Sequence, residues 1–333
     1  MLASDPACTL FRQAFPQSLP AGSILLISAF FFKKLLLFFT MNMQKYAAPG
    51  LVVGSIVFGM GSIIVATVPV GAYAIAFWRL CIAGIIFWLL ARKFGQRLPQ
   101  SKNALRYGLI AGAFLGLDLS LWHESVYAVG PGISTLLNSL QIFFLAAIGF
   151  FWFGEKQSKL QLASLFIAIT GVALIGSPEF SRNHNAAWGF ISGILSGGLL
   201  AASMVYVRKT HEAEHTPLFP LMMLVSLGGM AAVLPLALVF NADSLYPANP
   251  RDIGLVLIYG AVMQCFAWGL IAYAVPLLPL ALTGLLLLSE PVAALFIDYF
   301  FLGKTINGLQ WSGAALTMLA IYLGSLKPKP PKA

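Results

Sequence analysis

The chain is poor in charge. Of 333 residues, 20 are Lys or Arg and 11 are Asp or Glu, 9% together, where soluble domains carry about 25%. That is too few charged side chains to cover a soluble protein of this size. It excludes a conventional soluble enzyme, a disordered chain and a nucleic-acid binder. Cysteine is scarce as well. Cys8, Cys81 and Cys265 have no metal or disulfide spacing, and the last two lie in apolar runs, where they read as small packing residues. No Gly-rich nucleotide loop ending in Lys-Ser or Lys-Thr occurs, so nothing points to direct drive by ATP. Around His123 no further ligands of suitable geometry are evident in the sequence, so neither a metal nor a cofactor is expected.

What the chain has instead is apolar sequence: 59% hydrophobic residues and a mean hydropathy of +0.87. Closed β-barrels alternate apolar and polar residues. Here the apolar residues run in unbroken blocks near the ~20 residues that a spanning helix needs. The reading is an all-α polytopic membrane protein, with the lipid bilayer as a partner. Cutting at polar, Gly and Pro clusters predicts ten transmembrane helices, at about 50–68, 72–91, 107–126, 132–153, 159–177, 187–207, 217–240, 253–275, 279–302 and 309–326.

The net charge of +9 is no nucleic-acid signal, because the basic residues sit between the apolar blocks. With Met41–Pro49 placed inside, thirteen Lys and Arg fall in inside segments, including the basic tail over 327–333. Only Arg182, Arg251 and Lys304 fall outside. By the positive-inside rule both termini are cytoplasmic. Residues 1–40 fit this plan poorly. The apolar run Ile24–Phe32 is short, Lys33 and Lys34 follow it, and the charge order is not that of a signal peptide. They are expected to be a non-native or disordered extension, with translation starting at Met41 or Met43.

Sliding the chain by 149 residues aligns Ser134–Gly176 with Thr283–Ser325, with eight identities in 43 positions. They include Phe151/Phe300, Gly154/Gly303, Leu160/Leu309 and Gln161/Gln310. A repeat of five helices is odd in number, so the second copy enters the membrane upside down. Two inverted five-helix repeats, over 50–177 and 187–326, exchange conformations around a midplane site, which is the geometry of alternating access.

Several short motifs lie along this frame: Phe77-Trp78-Arg79, Asp118 with Trp122-His123 and Ser125, Thr135-Leu136-Leu137, Gly154-Glu155, and Ser289-Glu290-Pro291-Val292 followed by Leu302-Gly303. In their order and spacing the chain resembles the EamA-type transporters of the drug/metabolite transporter superfamily, over about residues 50–326. It departs from their pattern at Lys304, where Glu usually follows the Gly, and at Gln141-Ile142, where the first repeat often has a Pro. The resemblance implies export of metabolites such as amino acids across a bacterial inner membrane.

An ionisable side chain inside a membrane is costly and marks a functional candidate. Arg79, Asp118, Glu124, Glu290, Asp298 and His123 qualify. At ~1.5 Å per residue, Arg79 and Asp118 reach similar depths on consecutive helices. An Arg79–Asp118 pair is expected, with Arg79–Glu124 as competitor. Such a pair either neutralises two charges or clamps the carboxylate and amine of a zwitterion. Asp118, Trp122 and Ser125 at i, i+4 and i+7 share a face, the charge, flat wall and hydroxyl of a small-molecule pocket, although Trp122 also suits an interfacial belt. His123 points elsewhere and with Glu124 lies near the outer surface. It reads as structural, with proton coupling as the alternative.

Ser134, Asn138 and Gln141 form a polar row that fits interhelical glue, yet Gln141 maps onto Glu290 through the repeat. Pro291 frees a carbonyl one turn back. Glu290 either tethers that backbone or is a protonatable carboxylate at the midplane. Gln264 and Trp268, at i and i+4, face a cavity or pack in the core. The Gly59/Gly61 and Gly193/Gly197-Gly198 patches let helices approach.

The substrate-binding set is therefore Arg79, Asp118, Trp122, Ser125, Asn138, Gln141, Gln264, Trp268 and Glu290, with Asp118, Glu290 and His123 as proton-coupling candidates. The expected activity is secondary export of a small metabolite. The alternatives are an intramembrane enzyme built on His123, Glu124 and Asp118, or a lipid-carrier flippase on the same scaffold.

Overall fold

The computed structural model describes residues 46–180, 187–300 and 306–325. The expected extension over 1–40, the basic tail and the Lys304 corner lie outside them. Among the described residues seven helices are long and apolar enough to cross a membrane. They are α1 (Ala47–Thr67), α2 (Ala72–Lys93), α3 (Lys102–Gly130), α4 (Ser134–Phe153), α6 (Ala187–Ala213), α7 (Leu218–Phe240) and α8 (Pro250–Leu277). Between and after them come α5 (Lys159–Phe180), α9 (Leu280–Leu287 continued by Ser289–Phe300) and α10 (Gly308–Ser325). The chain is a multi-pass membrane protein.

Its surface is that of a body solvated by lipid. Phe151 is 83% exposed, Val239 73% and Trp152 69%. In water such residues would cost free energy; against acyl chains they cost none.

Helix ends follow local chemistry. Gly154 ends α4 in the left-handed region at φ 63°, where a side chain is strained. Asn249 caps α8 by accepting from the Asp252 N–H at 2.9 Å, with Pro250 in the first turn. The first turn of α2 is capped from outside. Asn241, just after α7, accepts through Oδ1 from the N–H groups of Tyr73 (2.9 Å) and Ala74 (3.3 Å). Helices α3, α6 and α8 extend past their apolar blocks, because polar residues such as Lys102–Arg106 and Arg208–Ala213 continue the helix beyond the hydrophobic layer.

Helix α2 packs on α7, α3 on α6 and α7, α4 on α9, and α5 on α10. Small residues allow the closest approaches. A Cβ on Gly171 in α5 would lie 2.6 Å from the Gly313 carbonyl oxygen of α10. Helix α8 is irregular in its middle: Tyr259–Trp268 winds as a π-helix. Helices α4 and α9 both break near their centres, at Ser139–Leu140 and at Leu288.

Candidate functional site

Arg79 lies in α2 and is fully buried. Its guanidinium lies against two rings, with Cζ 4.5 Å from the Phe58 centroid and 4.3 Å from that of Tyr259. A desolvated cation between aromatic faces gains about 2 kcal/mol or more per face. Nε donates to Gln264 Oε1 at 2.7 Å and Nη1 to the Tyr259 hydroxyl at 2.5 Å. Nη2 has no hydrogen-bond partner.

The expected ion pairs are absent: among the described residues neither Asp118 nor Glu124 closes on Arg79. Asp118 is taken by Asn138, and Glu124 Oε2 accepts from Trp188 Nε1 at 3.4 Å. Asp118 and Glu290 still interact electrostatically with Arg79 and with each other, so the three charges share one region.

The π-helix explains why one helix grips Arg79 twice. Tyr259 and Gln264 are five residues apart. On an α-helix, at ~100° per residue, they would point ~140° apart. With i→i+5 hydrogen bonding the helix is wider and residues five apart swing towards one face. Tyr259 carries no such signal in sequence, where it is one more aromatic residue in an apolar block.

Behind Tyr259 sits His123, fully buried. Its Nδ1 is 2.9 Å from the Ala72 carbonyl and its Nε2 is 2.8 Å from the Tyr259 hydroxyl. The turn of α3 that carries it thus meets α2 at Ala72 and α8 at Tyr259.

A second polar group joins α3, α4 and α6. Asn138 Nδ2 donates to Asp118 Oδ1 at 3.1 Å and to Ser196 Oγ at 2.9 Å. Ser196 is the partner that sequence spacing misses. Gln141, just past the α4 break, is buried with Oε1 unpaired. The Gly193/Gly197 patch is the close-approach surface: a Cβ on Gly197 would lie 2.8 Å from the Asn138 carbonyl oxygen.

The expected face of Asp118, Trp122 and Ser125 is divided. Ser125 donates to the Gly189 carbonyl of α6 at 2.7 Å, which is interhelical glue. Trp122 is buried in an apolar cluster with Ile64, Val65 and Val126, so it is no belt residue. Trp268 is buried with Nε1 unpaired, its ring 5.7 Å from that of Phe58.

Glu290 opens the second part of α9 and is half-buried. Pro291 withholds the N–H that would bond the Leu287 carbonyl, four residues back. Ser55 of α1 supplies the missing donor, at 2.8 Å from Oγ. Glu290 is therefore not the tether of that backbone. Its carboxyl packs over Gly59 and accepts no hydrogen bond from the described residues. The Asp298 side chain lies outside them. Among the described residues no three His, Cys, Asp or Glu come together as a metal site.

These features can be set beside known proteins. The model of the EamA-like transporter family matches residues 45–177 and again 187–326. A probable amino-acid metabolite efflux pump of Salmonella typhimurium is 26% identical over 258 residues, 73% of this chain and 84% of that protein. A probable terminal-alkyne amino-acid exporter of Streptantibioticus cattleyicolor is 24% identical over 257 residues, 76% and 84% of the two chains. One solved crystal structure is similar in fold, with a TM-score of 0.69 and 13% identity over 85% of this chain and 97% of the other.

Proposed function

Because this chain belongs to the EamA-like transporter family, we propose that it is a secondary transporter that exports small metabolites, amino acids first among them, across a bacterial inner membrane. The observation that carries the reading is Arg79. A buried cation with one nitrogen unpaired, near two carboxyl groups that make no ion pair with it, is an incomplete charge set. A zwitterion completes it, its carboxylate at Nη2 and its ammonium towards Asp118 and Glu290. The names of the probable amino-acid metabolite efflux pump and the probable terminal-alkyne amino-acid exporter agree with this.

Alternating access is supported by the packing. Three pairs of helices five apart in order pack on each other, α2 with α7, α4 with α9 and α5 with α10, as helices that flank a pseudo-twofold axis would. The central breaks of α4 and α9 fall within a residue of one another under the 149-residue offset. The substrate set remains Arg79, Asp118, Asn138, Gln141, Gln264, Trp268 and Glu290. Trp122 and Ser125 act as support for it. Asp118, Glu290 and His123 are the groups through which a proton gradient would couple.

The test is efflux of labelled amino acids from sealed liposomes, with and without a pH gradient. Export accelerated by an inward proton gradient is expected. Asp118→Asn is expected to fold and to lose both transport and its pH dependence. Full transport by that variant, or no amino-acid efflux from folded wild-type protein, removes this reading.

A further inference from the structure

We propose that Tyr259 is the positioning residue of the site. Its hydroxyl, held from behind by His123, pins the Arg79 guanidinium so that Nη2 alone is presented to a substrate anion. This rests on the reading of Arg79 as the anion-binding group.

The hydrogen-bond directions follow from chemistry. The Ala72 carbonyl can only accept, so Nδ1 of His123 carries the hydrogen on that side. Nε2 of the neutral ring is then an acceptor, and the Tyr259 O–H donates to it. The hydroxyl oxygen, its own hydrogen spent, accepts from Arg79 Nη1. Each donor meets one acceptor along the line Arg79, Tyr259, His123, Ala72. A planar guanidinium has three nitrogen corners. Gln264 holds Nε and Tyr259 holds Nη1, while the rings of Phe58 and Tyr259 pack against the group. The third corner then has one direction left.

The backbone is built for this grip. Only the π-wound stretch of α8 places Tyr259 and Gln264, five residues apart, on one face. Such stretches are rare and concentrate at functional sites. Gly260, next to Tyr259, lets α8 come close to α2: a Cβ there would lie 3.2 Å from the Arg79 carbonyl oxygen.

The substitution that isolates the hydroxyl is Tyr259→Phe, which keeps both ring faces. The protein in detergent, labelled with ¹⁵N-arginine, is observed by NMR. A pinned guanidinium shows slow rotation about Nε–Cζ, and Arg79→Gln identifies the signal by its loss. In Y259F the rotation is expected to speed by at least about tenfold, since one charge-assisted hydrogen bond is gone. In liposomes the efflux of a labelled amino-acid mixture is expected to show KM raised about tenfold with kcat within about twofold.

An Arg79 signal in Y259F equal to wild type overturns the proposal. So does a loosened signal with KM unmoved, or an equal fall in kcat and kcat/KM. Full transport by R79Q overturns the anion-binding reading itself, and the proposal with it. The NMR arm needs no substrate, so absence of amino-acid efflux counts against the proposed cargo while the spectrum still decides the role of Tyr259.

Discussion

The hydrogen bond from Ser55 to the Leu287 carbonyl separates structure from function at a single position. A proline in a membrane helix leaves a carbonyl that lipid cannot satisfy. Ser55 fills that need, and Glu290, next to the proline, is left free of it. Ser55→Ala is expected to cost about 1–2 kcal/mol, between the average interhelical bond in a membrane and a fully orphaned carbonyl. Thermal unfolding in detergent measures the loss, and substrate affinity is expected to stay unchanged. At this scale the charged candidates were legible, because Arg79, Asp118 and Glu290 stand out in apolar sequence. Their partners were not. Phe58, Tyr259 and Ser55 are common residues in helical blocks, and Asn138 outcompetes Arg79 for Asp118 only through the packing of three helices.

Among the elements, the end of α4 is where several helices are tied. Gly154 turns the chain through the left-handed region, and Glu155 then meets Arg208 of α6 in an ion pair and the Leu280 N–H that opens α9, at 3.0 Å. Arg208 also bonds Glu212 at 3.1 Å and lies 4.4 Å from the centre of the Phe153 ring. Removing Glu155 strips α9 of a cap and leaves Arg208 with its exposed partner alone. Glu155→Ala is expected to cost about 2–3 kcal/mol and Arg208→Ala about 1 kcal/mol. The order of the two melting temperatures is the check: an equal drop would mean that the Leu280 N–H contributes nothing. The motif Gly154-Glu155 was visible in sequence, but its reach to α9 was not, since the contact spans 125 residues. The winding of α8 was equally hidden. An apolar stretch reads the same with four or five residues per turn, so only Gln264 and Trp268 were placed on a common face.

For the molecule as a whole, the class was legible from the lack of charge alone. With only 9% charged residues to face water, 59% hydrophobic residues need a lipid surround. Helix number and pairing are less direct, because α9 is interrupted and the contacts of α5, α9 and α10 run through small residues as well as through apolar ones such as Leu165, Val172 and Leu285. The α5–α10 contact is the sharpest case, with backbone on both sides of Gly171 and Gly313. Gly171→Leu cannot be relieved by a side-chain shift, and overpacking of this kind costs about 1–3 kcal/mol or more. A lower melting temperature or loss of folded protein is expected, measured by size-exclusion chromatography after heating. A variant as stable as the wild type would mean that the two helices can separate freely.

The cap that Asn241 places on α2 has a mechanical meaning. One side chain at the end of α7 closes two amide groups at the start of α2. Sliding one helix along the other by a single residue, about 1.5 Å, would undo both bonds, whereas a small tilt about that corner keeps them. The α2–α7 pair is thus a lever with its fulcrum at Asn241, and Arg79, two turns along α2, rides on its arm.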